Sequence, residues 1–252
     1  MGRRYHHGTH SDTARMRKRI LFLDFDGTLS PIAKDPDKAR LTRNVKEWLK
    51  RISREKGVKV AIVTGRSLAD IRKRVGIPNL IYAGNHGMEV FYRGRRVLEK
   101  GRRYRGLFNR IANDLACGLV AIPNVYIENK GLSVAVHFRR VARKYHAAVK
   151  KRFMLLANPW LSGYRLRVTG GKMVLEVRPA AWDKGKAVLW IWKRLASHHS
   201  PVYVGDDETD EDAFRALRPH GATVRIGKKG TTNAEYRSSS FTALIKSKLL
   251  VP

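Results

Sequence analysis

A single cysteine, Cys117, stands among 252 residues. No internal disulfide can therefore staple the fold, and a reducing compartment is compatible with it. Glutamine is absent, and acids are scarce: 21 Asp and Glu face 52 Lys and Arg, a formal charge of +31. The lack of glutamine, with arginine outnumbering lysine, leans toward a thermophile source, although thermophile surfaces usually balance their charges in networks. No apolar run approaches the roughly 18 residues of a membrane helix, which argues against a membrane partner. Met1 to Arg19 lacks the apolar stretch of a secretory signal. It reads as a basic leader, 1–19, without fixed structure, and the expected setting is cytoplasmic. Zinc-ligand spacings, RNA-binding signatures and basic-zipper patterns are missing too. A positive field attracts polyanions and small anions alike, but here Lys and Arg spread along the whole chain instead of forming a reading surface. No specific nucleic-acid partner is expected.

What is present is enough apolar residue, 43%, to fill a core of one large or two small domains. Apolar strand-like runs at Ile20 to Leu23, Val58 to Thr64, Leu80 to Ala83 and Pro201 to Val204 alternate with helical patterns at Asn44 to Lys56, Leu68 to Arg74 and Asp210 to Leu217. Met88 to Tyr92 and Arg96 to Leu98 read as a hairpin turning at Arg93-Gly94. Such alternation predicts an α/β fold, a parallel sheet covered by helices. Between Gly101 and Pro179 the pattern changes to helix (103–116), two strands (125–128, 132–139), helix (142–157) and two strands (164–168, 173–178). This αββαββ run is expected to be an inserted α+β domain over 101–179, with 20–100 and 180–252 forming the main domain. Its strands alternate strictly. Leu132, Val134, Val136 and Phe138 oppose Ser133, Ala135, His137 and Arg139, while Met173, Leu175 and Val177 oppose Lys172, Val174, Glu176 and Arg178. One face covers helices. The other offers a polar set that can hold a hydroxylated anion.

The chemistry concentrates in four places. Leu23-Asp24-Phe25-Asp26-Gly27-Thr28 puts two acids at a strand's carboxyl end, where α/β sheets bind ligands, and two acids so close require a cation or a shared proton. Val63-Thr64-Gly65-Arg66 ends a second strand in a hydroxyl and a glycine turn, a common anion-facing arrangement. In Gly205-Asp206-Asp207-Glu208-Thr209-Asp210-Glu211-Asp212, six acids fall within seven residues. A capping box from Thr209 to Asp212 accounts for part of this cluster. Asp206, directly after a buried strand, is left over, and oxygen donors without soft ligands suit Mg²⁺. Finally, Asp183 is a natural N-cap, so Lys184 opens a helix where its charge opposes the dipole. That position makes sense if Lys184 faces phosphate and carboxylates. Lys186 is the competing lysine.

These elements stand in the order found in the haloacid dehalogenase-like (HAD) phosphohydrolases. The finer text resembles the trehalose-6-phosphate phosphatases: the DFDGTLSPI run from Asp24, Gly65-Arg66-Ser67, Gly84-Asn85-His86-Gly87, Glu176-Val177-Arg178-Pro179 and the Asp206-Asp207-Glu208-Thr209-Asp210-Glu211-Asp212 run. The resemblance spans Ile20 to the C-terminus. It implies a Rossmannoid core with a mobile cap, and hydrolysis of trehalose 6-phosphate through an aspartyl-phosphate. Asp24 would be the nucleophile, Asp26 the proton carrier, and Thr64 and Lys184 the holders of the phosphoryl oxygens. Mg²⁺ would be held by Asp24, Asp26 through its carbonyl, and Asp206, with Asp210 and Asp207 completing or supporting the shell. Substrate contacts implied are Gly65, Arg66, Asn85, His86, Lys130, His137, Arg139, Lys172, Glu176 and Arg178. The partner is a small sugar phosphate, with functional coupling to a trehalose-phosphate synthase. Two alternatives stay open at this point: a phosphatase for mannosylglycerate, glucosylglycerate or sucrose phosphate, and a polyanion-binding protein on a phosphatase fold.

Overall fold

The computed structural model describes residues 18–33, 36–171, 173–228, 230–247 and 250; Lys172 and nearly all of the basic leader lie outside them. The first strand, β1 (Arg19–Leu23), is buried on both sides. Leu21 and Leu23 pack into one apolar layer, and Ile20 and Phe22 into the opposite one. That is why the run is continuously apolar: helices cover both faces of a parallel sheet. After α1 (Arg43–Ile52), β2 (Val58–Val63), α2 (Leu68–Val75) and β3 (Ile81–Gly84), the chain forms an antiparallel hairpin, β4 (Glu89–Tyr92) and β5 (Arg95–Glu99). The segment up to residue 179 supplies α3 (Arg105–Leu119), β6 (Tyr126–Asn129), β7 (Val134–His137), α4 (His146–Tyr164), β8 (Leu166–Gly171) and β9 (Val174–Pro179). The chain returns through α5 (Lys184–Leu195), β10 (Ser200–Gly205), α6 (Glu211–Leu217), β11 (Ala222–Ile226), β12 (Tyr236–Ser238) and α7 (Phe241–Lys246).

Two sheets result. The larger has eight strands in the order β12-β11-β10-β1-β2-β3-β4-β5, parallel from β12 to β3. The smaller is the four-stranded antiparallel β6-β7-β9-β8. One face of it packs on α3 and α4 around Phe108, Ile111, Leu115, Val134, Val136, Phe153 and Val177. β1 pairs with both β10 and β2, so the residues following those three strands, Asp24, Asp206 and Thr64, emerge side by side at the carboxyl end of the sheet.

Three local readings change. α4 does not stop at residue 157 but runs through Pro159 to Tyr164. Proline removes one donor and strains the preceding turn, yet the extension packs Trp160 and Leu161 against the smaller core. The capping box after β10 joins Asp207 to Asp210, not Thr209 to Asp212. The second face of β7 is not open either: Ser133 and Ala135 are fully buried. The Asp183 N-cap stands as expected, its carboxylate accepting from Lys186 N–H at 2.8 Å.

Candidate active site

Gly27 allows the acidic turn after β1 to close. Its φ is +91°, and a Cβ there would lie 2.2 Å from Asp206 Oδ2, so only glycine lets the two acidic segments approach this closely. Asp24, Asp206 and Asp210 each place a carboxylate oxygen within 4.8 Å of the others. Lys184 is 3% exposed and donates from Nζ to Asp24 Oδ1 and to Asp210 Oδ1, both at 2.7 Å. Burial pushes the ammonium toward neutrality, but Asp210 and Asp24 outweigh it and hold Lys184 protonated. Burial pushes the Asp24 carboxyl well above the usual range; Lys184 opposes this, and Asp210 and Asp206 reinforce it. Three carboxylates crowd together here, two of them on the Lys184 ammonium, an arrangement that a divalent cation can join. The donor set is oxygen only, as Mg²⁺ prefers. The residues fit the ion.

The three acids are not equivalent. Asp210 Oδ1 accepts from Lys184 and from Tyr203 Oη at 2.6 Å, and its Oδ2 accepts from Asp206 N–H at 2.9 Å and Asp207 N–H at 3.0 Å. A carboxylate has about four acceptor positions, so Asp210 is filled and acts as a buried anchor. Asp207 caps the following turn, its Oδ1 accepting from Glu208 N–H at 2.8 Å, and it falls outside the carboxylate cluster. Asp210 thus stays in the cluster in the supporting place, and Asp207 leaves it because the turn after β10 must satisfy its own backbone donors. The Asp26 side chain is also outside the cluster. Arg66 grips it with two bonds of 2.7 Å, from Nε and Nη2, leaving its carbonyl as the oxygen it can offer a cation. Arg66 in turn is paired with Asp70 at 2.9 Å.

Thr64 is buried and accepts from Arg66 N–H at 3.2 Å, which sets the turn through Gly65. The Asn85-His86-Gly87 segment folds onto that turn by two backbone bonds, Asn85 N–H to the Arg66 carbonyl (2.7 Å) and His86 N–H to the Thr64 carbonyl (2.9 Å). Asn85 and His86 adopt φ of +50° and +55°, a costly conformation for non-glycine residues. The strain aims His86 at the smaller sheet, where its Nε2 lies 3.1 Å from Glu176 Oε2. Burial pushes the imidazole down to about 4 despite Glu176, so neutral His86 donates this bond. Glu176 also accepts from Lys130 Nζ at 3.1 Å and Ser133 Oγ at 2.5 Å. Burial raises its carboxyl, and the Lys130 charge more than reverses that, holding it well below the usual range. Asn85 donates to Glu89 at 2.7 Å and to the Lys130 carbonyl at 3.3 Å.

Between the two sheets lies a cavity of about 510 Å³. Asp26, Gly65, Arg66, His86, Asp206 and Asp207 line it from one side, and Lys130, His137, Arg139 and Glu176 from the other. Asp24, Thr64, Asn85, Lys184 and Asp210 sit behind this wall and line no part of it. His137 is paired with Glu128 at 2.9 Å. Two expected substrate residues among those described fall outside the lining: Asn85, which sits behind the wall, and Arg178, which faces elsewhere. Arg178 lies opposite Arg167 across β8 and β9, donates to the Trp182 carbonyl at 2.9 Å, and lines a separate cleft with Asp212. Lys172 falls outside the described residues. Sequence reasoning passed over Tyr203, left Ser133 as one member of a polar face, and gave no role to Thr28, which donates to Asp206 Oδ1 at 3.3 Å. A tyrosine inside a fully buried strand, and a serine on the polar side of β7, were the available signals.

The fold is that of the haloacid dehalogenase-like hydrolases. A protein of that description from Bacteroides thetaiotaomicron shares the fold at 13% identity, with TM-score 0.62 and 88% of this chain and 94% of that one covered. The chain belongs to the trehalose-phosphatase family, whose model matches residues 22–245. It is similar to trehalose-phosphate phosphatase B of Arabidopsis thaliana, 37% identical over 245 residues, covering 89% of this chain and 64% of the relative. The trehalose-6-phosphate phosphatase C-terminal domain of Candida albicans has the same fold, with TM-score 0.79 at 24% identity and coverage of 93% and 92%. The chain spans between 54% and 64% of the length of the curated relatives it matches first. Among the described residues no helix is long and apolar enough to cross a membrane.

Proposed function

We propose that this chain is a Mg²⁺-dependent phosphatase that hydrolyses trehalose 6-phosphate to trehalose and phosphate through an aspartyl-phosphate. The observation that carries the reading is Lys184, buried between Asp24 and Asp210 at 2.7 Å from each, beside Asp206 at the carboxyl ends of adjacent strands. A protein that only binds anions has no use for an oriented, desolvated carboxylate beside its ligand.

Lys184 engages Asp24 Oδ1, leaving Oδ2 to attack phosphorus in line; the phosphorus–oxygen bond to the sugar breaks as the new bond forms. Asp26 supplies the proton that the departing sugar oxygen needs, then removes one from the water that cleaves the aspartyl-phosphate. The Arg66 fork has to release Asp26 for this, so Arg66 holds the acid ready and then passes to the phosphoryl oxygens. Thr64 and Lys184 complete the phosphoryl cradle. Asp24, Asp206 and the Asp26 carbonyl would hold Mg²⁺, with Asp210 fixing their positions; bound there, the ion neutralises charge on the transferring phosphoryl group. Segment 101–179 acts as the cap, closing the cavity and excluding water. His86, Lys130, His137, Arg139 and Glu176 hold the sugar hydroxyls. The reading implies coupling to a trehalose-phosphate synthase that makes the substrate, in a cytoplasmic setting.

Phosphate release from a panel of sugar phosphates, with Mg²⁺ and with EDTA, tests this. Trehalose 6-phosphate should be the preferred substrate and chelation should abolish turnover. The reading fails if glucose 6-phosphate is hydrolysed as fast, or if EDTA changes nothing.

A further inference from the structure

In the wall of the cavity, three large apolar side chains remain open to solvent: Ile32 at 45%, Tyr126 at 47% and Met173 at 38%. Most of the other exposed large apolar residues among those described lie on the cap helices or at chain turns far from the cavity wall, so this convergence is local. The three come from separate parts of the chain. Ile32 follows the turn after β1, Tyr126 opens β6, and Met173 occupies the turn between β8 and β9. Two of them are held in place. Tyr126 sits opposite His137 in the β6–β7 register, with ring centroids 5.6 Å apart and planes at 31°, and His137 is fixed by Glu128. Met173 has a φ of +66°, and its carbonyl accepts from Phe138 N–H at 3.0 Å. Exposed, ordered apolar surface beside a binding site is ordinarily there for a ligand.

The lining is of three kinds. The larger sheet contributes carboxylates and Arg66, the smaller sheet contributes nearly buried charged groups such as Lys130 and Glu176, and the three apolar side chains are left open to solvent. A pyranose ring has the matching duality: hydroxyls around its edge and a face of C–H groups that packs against an aromatic plane. A monosaccharide phosphate anchored at Asp24 has one ring, which the charged groups near Glu176 engage. A second ring is what the solvent-open apolar side chains are left to receive. We propose that Tyr126, flanked by Ile32 and Met173, is the platform for the distal ring of the substrate, and that this contact selects disaccharide phosphates over monosaccharide phosphates. The inference rests on the function proposed above and adds three residues to it.

Steady-state kinetics on trehalose 6-phosphate tests the platform, with free trehalose and inorganic phosphate as inhibitors. A contact to the distal ring is made equally in the ground and transition states, so its loss raises KM and spares kcat. Tyr126→Ala should raise KM about tenfold, and the inhibition constant of trehalose with it, while that of inorganic phosphate stays put. Tyr126→Phe should restore KM, because the phenyl face is retained. Ile32→Ser, which leaves the Tyr126–His137 pair intact, should raise KM in the same direction. The platform is overturned if KM does not move in Tyr126→Ala, if Phe is as poor as Ala, or if phosphate inhibition weakens in parallel. A parent chain that releases no phosphate from trehalose 6-phosphate overturns the proposed function instead, and that is measured before any variant.

Discussion

Replacing Lys184 by methionine removes the ammonium that bonds both Asp24 and Asp210, two buried members of a group of three acids, while keeping the length of the side chain. Lys184 is 3% exposed, Asp24 4% and Asp210 0%, and both Lys184 bonds are 2.7 Å. Removing one partner of a buried ion pair strands the other charge and costs about 3–5 kcal/mol. For a domain of this size each kcal/mol moves Tm by roughly 2–4 °C. Lys184→Met should therefore melt on the order of 10 °C below the parent in EDTA. Excess Mg²⁺ should narrow the gap, since a cation in the cluster supplies part of the missing charge, but it should not restore phosphatase activity. Thermal melts with EDTA and with Mg²⁺, followed by circular dichroism, read both effects. Lys186→Met is the control, because Lys186 is 54% exposed and bonds only the Ala181 carbonyl and, distantly, Asp183. A Lys184→Met protein that melts within about 2 °C of the parent in EDTA, under one kcal/mol on the same scale, would refute the picture of desolvated Asp24 and Asp210 held by Lys184.

Acid should weaken the fold before the carboxylates titrate. His86 is pushed from 6.5 to about 4 by burial, against the pull of Glu176, so the unfolded chain binds a proton that the folded chain refuses. The stabilisation is full above pH 6.5 and is lost as pH falls toward 4, by up to ~3 kcal/mol at about 1.4 kcal/mol per unit. Urea unfolding at pH 7 and pH 5 should show this decline, with a shallower one in His86→Asn; equal slopes would remove His86 as the cause. Gly27→Ala places a Cβ 2.2 Å from Asp206 Oδ2 at a φ of +91°, which forces Asp206 out of position. A displacement of that kind costs ~100-fold in kcat/KM with little change in circular dichroism, and activity within about threefold of the parent would contradict it.

The strands and helices that position the site were readable because each carries an unambiguous pattern. Ile20 to Leu23 of β1 and Val60 to Val63 of β2 are continuously apolar because both of their faces are covered, and α1 places Val45, Trp48, Leu49 and Ile52 on one buried stripe. Asp183 announces the start of α5 by its capping chemistry. Elements at the edge of the sheet carried less. β12 has three residues and α7 six, too few for a period to register, and neither they nor β11 were foreseen. The end of α4 was misread because proline is normally a stop, whereas here packing of Trp160 and Leu161 outweighs the lost bond. At the site, residue types were legible but pairings were not. The sequence cannot tell that Asp210 is filled by four donors, that Asp207 serves its own turn, or that Arg178 faces Arg167 and not the cavity. Those depend on which atoms meet after folding, between segments as far apart in the chain as Asp24 and Lys184.

Such pairings also explain how two acids separated by one residue can differ in chemistry. Asp24 and Asp26 leave the same strand, and their sequence context gives no ground for ranking them. Folding assigns each a different cation. Asp24 faces Lys184 in a water-excluded position, a point charge on one oxygen. The Asp26 side chain keeps 43% of its surface open and is gripped on both oxygens by a guanidinium that also holds Asp70. A desolvated carboxylate is a stronger nucleophile, and a solvent-reachable one can exchange protons with water and with a departing oxygen. The proposed division of labour thus follows from counterion and exposure. It requires the core to deliver the lysine at the start of α5 and the arginine after β2 to the same turn. That delivery depends on β10, β1 and β2 being neighbours, so the strand order of the sheet, and not the DxD spacing alone, makes one aspartate differ from the other.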